Sequence, residues 1–505
     1  MTSFADRLGM LNPQFLRECR GRLKPRSVIA AVGLSLIFQF LLYLSVIDVP
    51  LEYRMEAYRS VCRALTWAIP YGLFVLGGYY IVDDLTREEK RGTLNFIRLS
   101  PRPAREILLG KLLGVPLLPV LLAATAVPLH IVSGLIGGSS WLWMLSYYLA
   151  IAFSTAFVFS LALMFGLVGS SSSLGRQQTL SAIGFAGISL LFITPAFILW
   201  NNASIWWAFG SAAPLYAPYR NATTNLEWLY LPIADNLAVA HLFTLANLAI
   251  ATLLIWQIML RKFRIPQATL LSKRMSYIGV AYLNVLAWGF LQNSRISDEI
   301  RGISGPFALI GLNIIIFTIL IFALAPSRQT LLDWLRYRRH NLADWIWNDS
   351  SPSVVAIALN CAIALLLIIP WLLIADLGTK THTLPILLVA LSLGTSVLNY
   401  ATLVQIVFSM KLRSPLIWAA GIVATVAFVP PIALAILTDG AGDRSTVLIA
   451  VWTFLGLPFW ESRELVNASA GIFIGWALQL VVLLLLLSRL ARNLKQLSSR
   501  NAISL

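Results

Sequence analysis

Apolar residues in this chain fall into runs of about 20, separated by short polar stretches that are basic on one side of the pattern and aromatic or weakly acidic on the other. Wound as a helix, a run of that length matches the hydrocarbon thickness of a bilayer, and a helix satisfies its own backbone hydrogen bonds there. The pattern predicts an all-α polytopic membrane protein with about 12 transmembrane helices. A first set covers 27–47, 63–82, 107–135, 141–169, 178–199 and 238–260, and a second covers 275–291, 305–325, 353–375, 385–409, 415–437 and 469–488. Because Lys and Arg collect in alternate loops, those loops and both termini are expected in the cytoplasm. Ser100-Pro101 and Ser351-Pro352 each precede a third span and lie 251 residues apart (351 − 100). The expectation is two parallel six-helix halves: 27–262 first, a linker at 263–276, and a divergent second half at 277–490. A basic tail, 491–505, follows.

The N-terminal stretch 1–26 reads as an interfacial amphipathic helix. Asn12-Pro13 supplies a cap and a first-turn proline; Phe15, Cys19 and Leu23 repeat at spacing four beside Leu16, with Arg17, Arg20, Arg22 and Lys24 at the other positions. An outer segment, 200–236, mixes tryptophan and tyrosine with Asn, Pro and Ser, as headgroup-level segments do. Trp206, Trp207 and Trp228 stand in it, and an aromatic belt that only positions the bundle is its plainer reading. The sequons at Asn202 and Asn221 are treated as incidental.

The most charged part of the sequence is 83–114, DDLTREEKRGTLNFIRLSPRPAREILLGKLLG. Gly92-Thr93 can break and restart a helix, and Ser100-Pro101-Arg102-Pro103 stops it after about one and a half turns. So short a helix needs a surface to lie on. That surface is lipid headgroups if the loop is only a basic anchor. The wording EEKRGTL, a short apolar helix, a Ser-Pro break and REILLGKLLG resembles the permeases of type-2 ATP-binding-cassette (ABC) exporters. The resemblance implies a coupling helix that docks on a separate ATPase, with Glu88, Arg91, Gly92 and Leu94 at its entry, Phe96, Ile97, Arg98 and Leu99 as its docking face, and Pro101 and Arg105 on the return. It also implies two ATPase partner subunits carrying ATP and magnesium, a bacterial plasma membrane location, export, an elbow helix at 1–26 that leads into the first span, and an outer lid at 200–236 with Trp206, Trp207 and Trp228 as its possible residues. In the second half, LLDWLRYRRHNLADWIW can form an amphipathic helix, which makes Leu331, Trp334, Leu335, Arg338 and Trp345 a possible second coupling loop.

Composition narrows the alternatives. With 58% hydrophobic residues, 12% charged and a mean hydropathy of +0.78, the chain is far from a soluble average. The net charge of +16 is accounted for by the basic loops on one side of the membrane, so nucleic acid is not an expected partner. Cys19, Cys62 and Cys361 suit neither a disulfide framework nor a metal site. No GxxxxGK[ST] motif is present, and His130, His241, His340 and His382 lack ligand partners at sequence spacing. No catalytic residues, cofactor or metal are therefore expected within this chain, and it is not expected to be an enzyme. Gln39, Asn313, Asn360, Asn399 and Gln405 lie within the apolar runs and are expected to hydrogen-bond between helices. A six-plus-six secondary transporter would have favoured intramembrane carboxylates, and the runs carry essentially none; a non-transporting membrane scaffold is the remaining alternative. Cargo is open among amphipathic or small molecules, and membrane lipids surround the whole.

Overall fold

The computed structural model describes residues 12–47, 49–170, 178–196, 227–233, 237–291, 305–337, 341–374, 383–438, 446–456 and 465–502. Regular structure among them is helical, apart from isolated bridge residues at Trp228 and at Leu231. Among the described residues eight helices are long and apolar enough to cross a membrane, as an integral membrane protein requires. A ninth appears if Ala308–Ala323 and Arg328–Tyr337, bent at 70°, count as one span. Among the described residues Ala182–Ala196 is a shorter apolar stretch, the helix Ser353–Ile374 has 22 residues, and Lys273–Leu291 opens on two cations. The chain forms two compact units, residues 1–226 with 231–266, and residues 227–230 with 267–505.

In unit 1, α1 is Pro13–Arg22, capped by Asn12, whose Oδ1 accepts the Phe15 N–H at 3.0 Å. Next come α2 (Pro25–Ile47) and α3 (Leu51–Lys90). The 40 residues of α3 exceed the expected 63–82 at both ends. At one end Glu56 pairs with Arg59 at 3.1 Å and Arg63 at 3.7 Å on the helix surface, so charge does not end it. A π turn at Gly72–Gly77, just past Pro70, interrupts it. Gly92 at φ +71° then turns the chain into α4 (Thr93–Arg98), a conformation open to glycine at little cost. The expected single span 107–135 is two helices, α5 (Ala104–Gly114) and α6 (Leu117–Ile136), because Pro116 cannot donate to the ladder. Helices α7 (Trp141–Ser170), α8 (Gln178–Ile188) and α9 (Leu237–Arg264) complete the unit around one continuous buried core that runs from Val46 to Phe263.

Unit 2 contains α10 (Lys273–Leu291), α11 (Gly305–Ala323), α12 (Arg328–Tyr337), α13 (Leu342–Trp347), α14 (Ser353–Ile374), α15 (Thr383–Ser409), α16 (Pro415–Thr438), α17 (Thr446–Phe454) and α18 (Leu465–Ala502). The nine-residue α17 is too short for a hydropathy signal and is not anticipated by the sequence. It packs on α18 where Gly471 and Gly475 leave no room for a side chain: a Cβ there would sit 2.7 Å from Thr446 O and 2.4 Å from Ala450 O. Gln479 closes the end of α17 by donating to the Thr453 carbonyl, satisfying a group that a helix terminus leaves orphaned. No break separates the expected tail from the last span, since α18 runs on to Ala502.

The polar residues within the apolar runs bridge helices, as expected. Gln39 donates to Thr125 O, Asn313 pairs with Asn284, Asn360 donates to Ser276 Oγ, Asn399 donates to Gln479 O, and Gln405 accepts from Ser353. Cys62 and Cys361 are buried and Cys19 half-buried, all three as free thiols.

Candidate functional site

The stretch 83–114 is built around one side chain, Lys111, which is fully buried. Its Nζ lies 2.7 Å from Asp84 Oδ2, 2.7 Å from Glu88 Oε2 and 3.8 Å from Glu18 Oε1. Arg17 reaches Glu88 at 2.7 Å and Glu18 at 3.2 Å, and Arg22 binds Asp84 and Glu18. Three acids therefore face three cations drawn from α1, the end of α3, and α5. Oxygens of Glu18, Asp84 and Glu88 approach within 4.8 Å of one another, a spacing that suits a metal ion. The Lys111 ammonium already sits among them and supplies the charge a metal would bring.

Close approach of α1 depends on small residues in α5. A Cβ at Gly110 would lie 2.8 Å from the Phe15 backbone nitrogen, and one at Gly114 would lie 2.5 Å from Glu18 Cβ. Asn12 also donates from Nδ2 to Glu106 O at 2.8 Å, fastening the start of α1 to the start of α5. We expect Gly114→Leu to push α1 away and carry Glu18 beyond reach of Lys111. Overpacking of this kind costs about 1–3 kcal/mol, to be read as a lower unfolding temperature of the purified protein. An unchanged temperature would mean that α1 is not held by this contact.

On that base α4 is set with a divided surface. Leu94 and Ile97 are buried in the unit's own core. Phe96 and Leu99 point outward, 79% and 85% exposed. Of the four residues expected on the docking face, Ile97 is thus turned inward, because the helical spacing of three from Leu94 puts both on one stripe. Glu88 is likewise turned inward, to Lys111 and Arg17. Arg98 is half-buried over the Phe263 ring, 5.8 Å from its centroid, and donates to Asn95 Oδ1. Burial lowers its affinity for a proton, with Glu89 opposing that effect. Arg91, Pro101 and Arg105 are exposed, and Arg102 pairs with Glu106 at 3.4 Å. Phe96 and Leu99 thus stand exposed in a stretch that also exposes Arg91, Arg102 and Arg105.

The corresponding stretch of unit 2 is organised differently. Leu331, Trp334 and Leu335 of α12 are buried within the unit, so its apolar face is not available to a partner; Tyr337, Leu342 and Trp347 are the exposed large apolar side chains among the described residues of the stretch. Trp334 and Trp345 meet edge to face at 4.9 Å, and Trp334 Nε1 donates to Asp344 Oδ2 at 2.6 Å. Arg338 lies outside the described residues. A second buried lysine, Lys273, donates to Trp345 O at 2.7 Å, Ser351 Oγ at 2.6 Å and Pro352 O at 3.2 Å. Its partners are neutral, so burial dominates and pulls its pKa down to about 8, with Asp349 and Asp344 opposing. An unfolded chain would hold the Lys273 proton up to its ordinary value of 10.5. Between about 8 and 10.5 the unfolded state binds more protons than the folded one, so this group makes folding more favourable as pH rises through that window. A gain on the order of 3 kcal/mol over the full window is expected. Unfolding temperature measured at pH 7.5 and 9.5 in the native protein and in Lys273→Met checks it: the rise should be smaller in the variant, and equal slopes would rule the assignment out.

Of the proposed lid residues, Trp206 and Trp207 lie outside the described residues. Trp228 belongs to unit 2, where its Nε1 donates to Leu286 O at 3.1 Å and its indole lies against Gly289. Sequence reasoning missed Glu18, Asp84 and Lys111 as one group. The available signals were an acid on an otherwise basic helix face and glycines four residues apart in α5.

No family model, curated protein or solved structure matches the chain.

Proposed function

We propose that the chain is the transmembrane permease of an ABC-type transporter, an exporter by its resemblance, with two parallel six-helix halves, cytoplasmic termini and a place in a bacterial plasma membrane. The substrate pathway would lie in the bundle. ATP and magnesium would be bound by separate ATPase subunits, two for a double-length chain. The observation that carries the reading is α4: Leu94 and Ile97 anchor it inward while Phe96 and Leu99 stand exposed on a base pinned by Lys111. Two apolar side chains projecting from an anchored helix can fill a pocket on another protein without first paying an ordering cost. The exposed arginines of the same stretch, Arg91, Arg102 and Arg105, favour a partner with an acidic rim. Movement of that partner would be passed to α3 and α5 through Glu88, Asp84 and Lys111, and so to the spans beyond. The test is affinity purification of the tagged chain from its native membrane, with and without aspartates at positions 96 and 99, and identification of the proteins that accompany it.

A further inference from the structure

In unit 2, α15 and α18 run side by side in the same direction. Ser392 Oγ donates to Gln479 Oε1, Trp476 Nε1 to Thr395 Oγ1, and Asn399 Nδ2 to Gln479 O, between positions 87, 81 and 80 apart in the chain. Ile406 shares a buried cluster with Leu490 at an offset of 84 (490 − 406). A nearly constant offset means parallel helices, so the turn 410–414 after α15 is level with the stretch of α18 just beyond Ser488. Charge begins at that level. α16 holds 24 uncharged residues, Pro415–Thr438, and α18 another 24 from Leu465 to Ser488 (488 − 465 + 1). Each is about 36 Å of helix, against about 30 Å of hydrocarbon core. Lys411 and Arg413 stand just before the first run, and Arg489, Arg492 and Lys495 just after the second, which puts all five at headgroup depth.

These charges are not neutralised within the unit. All five side chains are exposed, and none forms an ion pair among the described residues. Arg492 Nε donates to Ser488 O at 3.4 Å, a neutral group on its own helix. Asp333, Asp344 and Asp349 are bonded elsewhere, to Gln329, Trp334 and the Lys273 N–H. The inward side of α18 is Leu486, Leu487, Leu490 and Leu494, so Arg489, Arg492 and Lys495, spaced three apart, share the outward one. Apolar side chains stand exposed beside the cations: Met410 and Leu412 flank Lys411, and Leu416, Ile417 and Trp418 follow Arg413. A soluble polyanion would leave them in water. A bilayer surface meets both, offering phosphate to the cations and the acyl boundary, where tryptophan collects, to the apolar side chains.

We propose that this end of unit 2 is an anionic-lipid site, where Lys411, Arg413, Arg489, Arg492 and Lys495 bind the phosphates of phosphatidylglycerol-type lipids in preference to zwitterionic ones. Clusters of about four to eight cations next to a span attract anionic headgroups in this way. The inference is independent of any ATPase partner. The full-length protein is placed in phosphatidylcholine nanodiscs with a trace of phosphatidylglycerol or phosphatidylcholine, each bearing a diazirine at the carboxyl end of one chain, irradiated, and its adducts are mapped. The phosphatidylglycerol probe should label 410–418 and 489–497 at least about fivefold more than the phosphatidylcholine probe. High salt, which screens exposed charge, should bring that ratio toward one. Lys411→Gln, Arg413→Gln, Arg489→Gln, Arg492→Gln and Lys495→Gln combined should do the same, while labelling of the outward Ile315, Ile319 and Leu366 stays unchanged. Basic residues also set topology, so the substitutions at 411 and 413 and those at 489, 492 and 495 are read separately as well, and each set should lower the ratio on its own segment. A ratio near one in the native protein, or one insensitive to salt, overturns the proposal without recourse to any variant. So does competition by inorganic phosphate beyond that of chloride at equal ionic strength, which would mark a site for a soluble anion.

Discussion

Lys111→Met is expected to destabilise unit 1 by about 3–5 kcal/mol, the range for breaking a buried ion pair from one side. The methionine fills nearly the same volume, so the loss is electrostatic rather than steric. Glu18, Asp84 and Glu88, all largely buried, would be left with Arg17 and Arg22 as their counter-charges. Arg17 is half exposed and shared between two acids, so it cannot replace an ammonium that is shielded from water. Thermal unfolding of the detergent-solubilised protein measures the effect, and limited trypsin digestion locates it, since α1 should loosen and become cleavable at Arg20 and Arg22. Adding Asp84→Asn to Lys111→Met should recover about 0.5–3 kcal/mol, the coupling expected of groups in contact. Lys111→Arg is not a rescue, because the guanidinium needs space that a fully buried position does not offer. An unfolding temperature that does not change in Lys111→Met would mean that the cluster is solvated in the working protein and that α1 is held by its apolar contacts alone.

The cluster also marks where legibility in the sequence stops. Helical runs are visible because each satisfies its own backbone and announces itself by composition over about 20 residues. The Asn12-Pro13 start of α1 is visible because a cap and its helix are adjacent in the chain. The Lys111 pairing is not visible, since it joins residues separated by 27 positions (Asp84) and 93 (111 − 18, Glu18). The orientation of α12 was ambiguous for a related reason: Leu331, Trp334 and Leu335 mark an apolar stripe, and a stripe does not say whether its cover belongs to the same chain or another. The cover turned out to be unit 2 itself. Short α17 escaped because nine residues are below any hydropathy window, and the glycines of α18 that receive it announce a close contact without naming the partner.

Phe96→Asp with Leu99→Asp and Ile97→Asp are expected to fail in different ways, and the contrast decides what α4 is for. Phe96 and Leu99 are exposed, so charges there leave the unit's own packing intact and the unfolding temperature within the narrow range of surface substitutions, about 0.5 kcal/mol. If a partner pocket receives them, two desolvated carboxylates in an apolar contact should abolish association, by analogy with anchor positions worth about 2 kcal/mol or more each. Ile97 is 7% exposed beside Leu94, which is 0% exposed, and a carboxylate there has no counter-ion in the core. That variant should lose several kcal/mol of stability whether or not a partner exists, consistent with burial of an unpaired charge. A loss of partner in Ile97→Asp is therefore uninformative by itself, and the double variant at 96 and 99 is the diagnostic one. Purified from the native membrane, the intact chain should bring an ATPase subunit and the double variant should not, at equal yield and unfolding temperature. Should both bring the ATPase, α4 is not its dock and exposed Tyr337 and Leu342 of unit 2 become the surface to charge next. Should neither bring one, while the folded chain remains in the membrane, Phe96 and Leu99 rest on lipid and the permease reading falls.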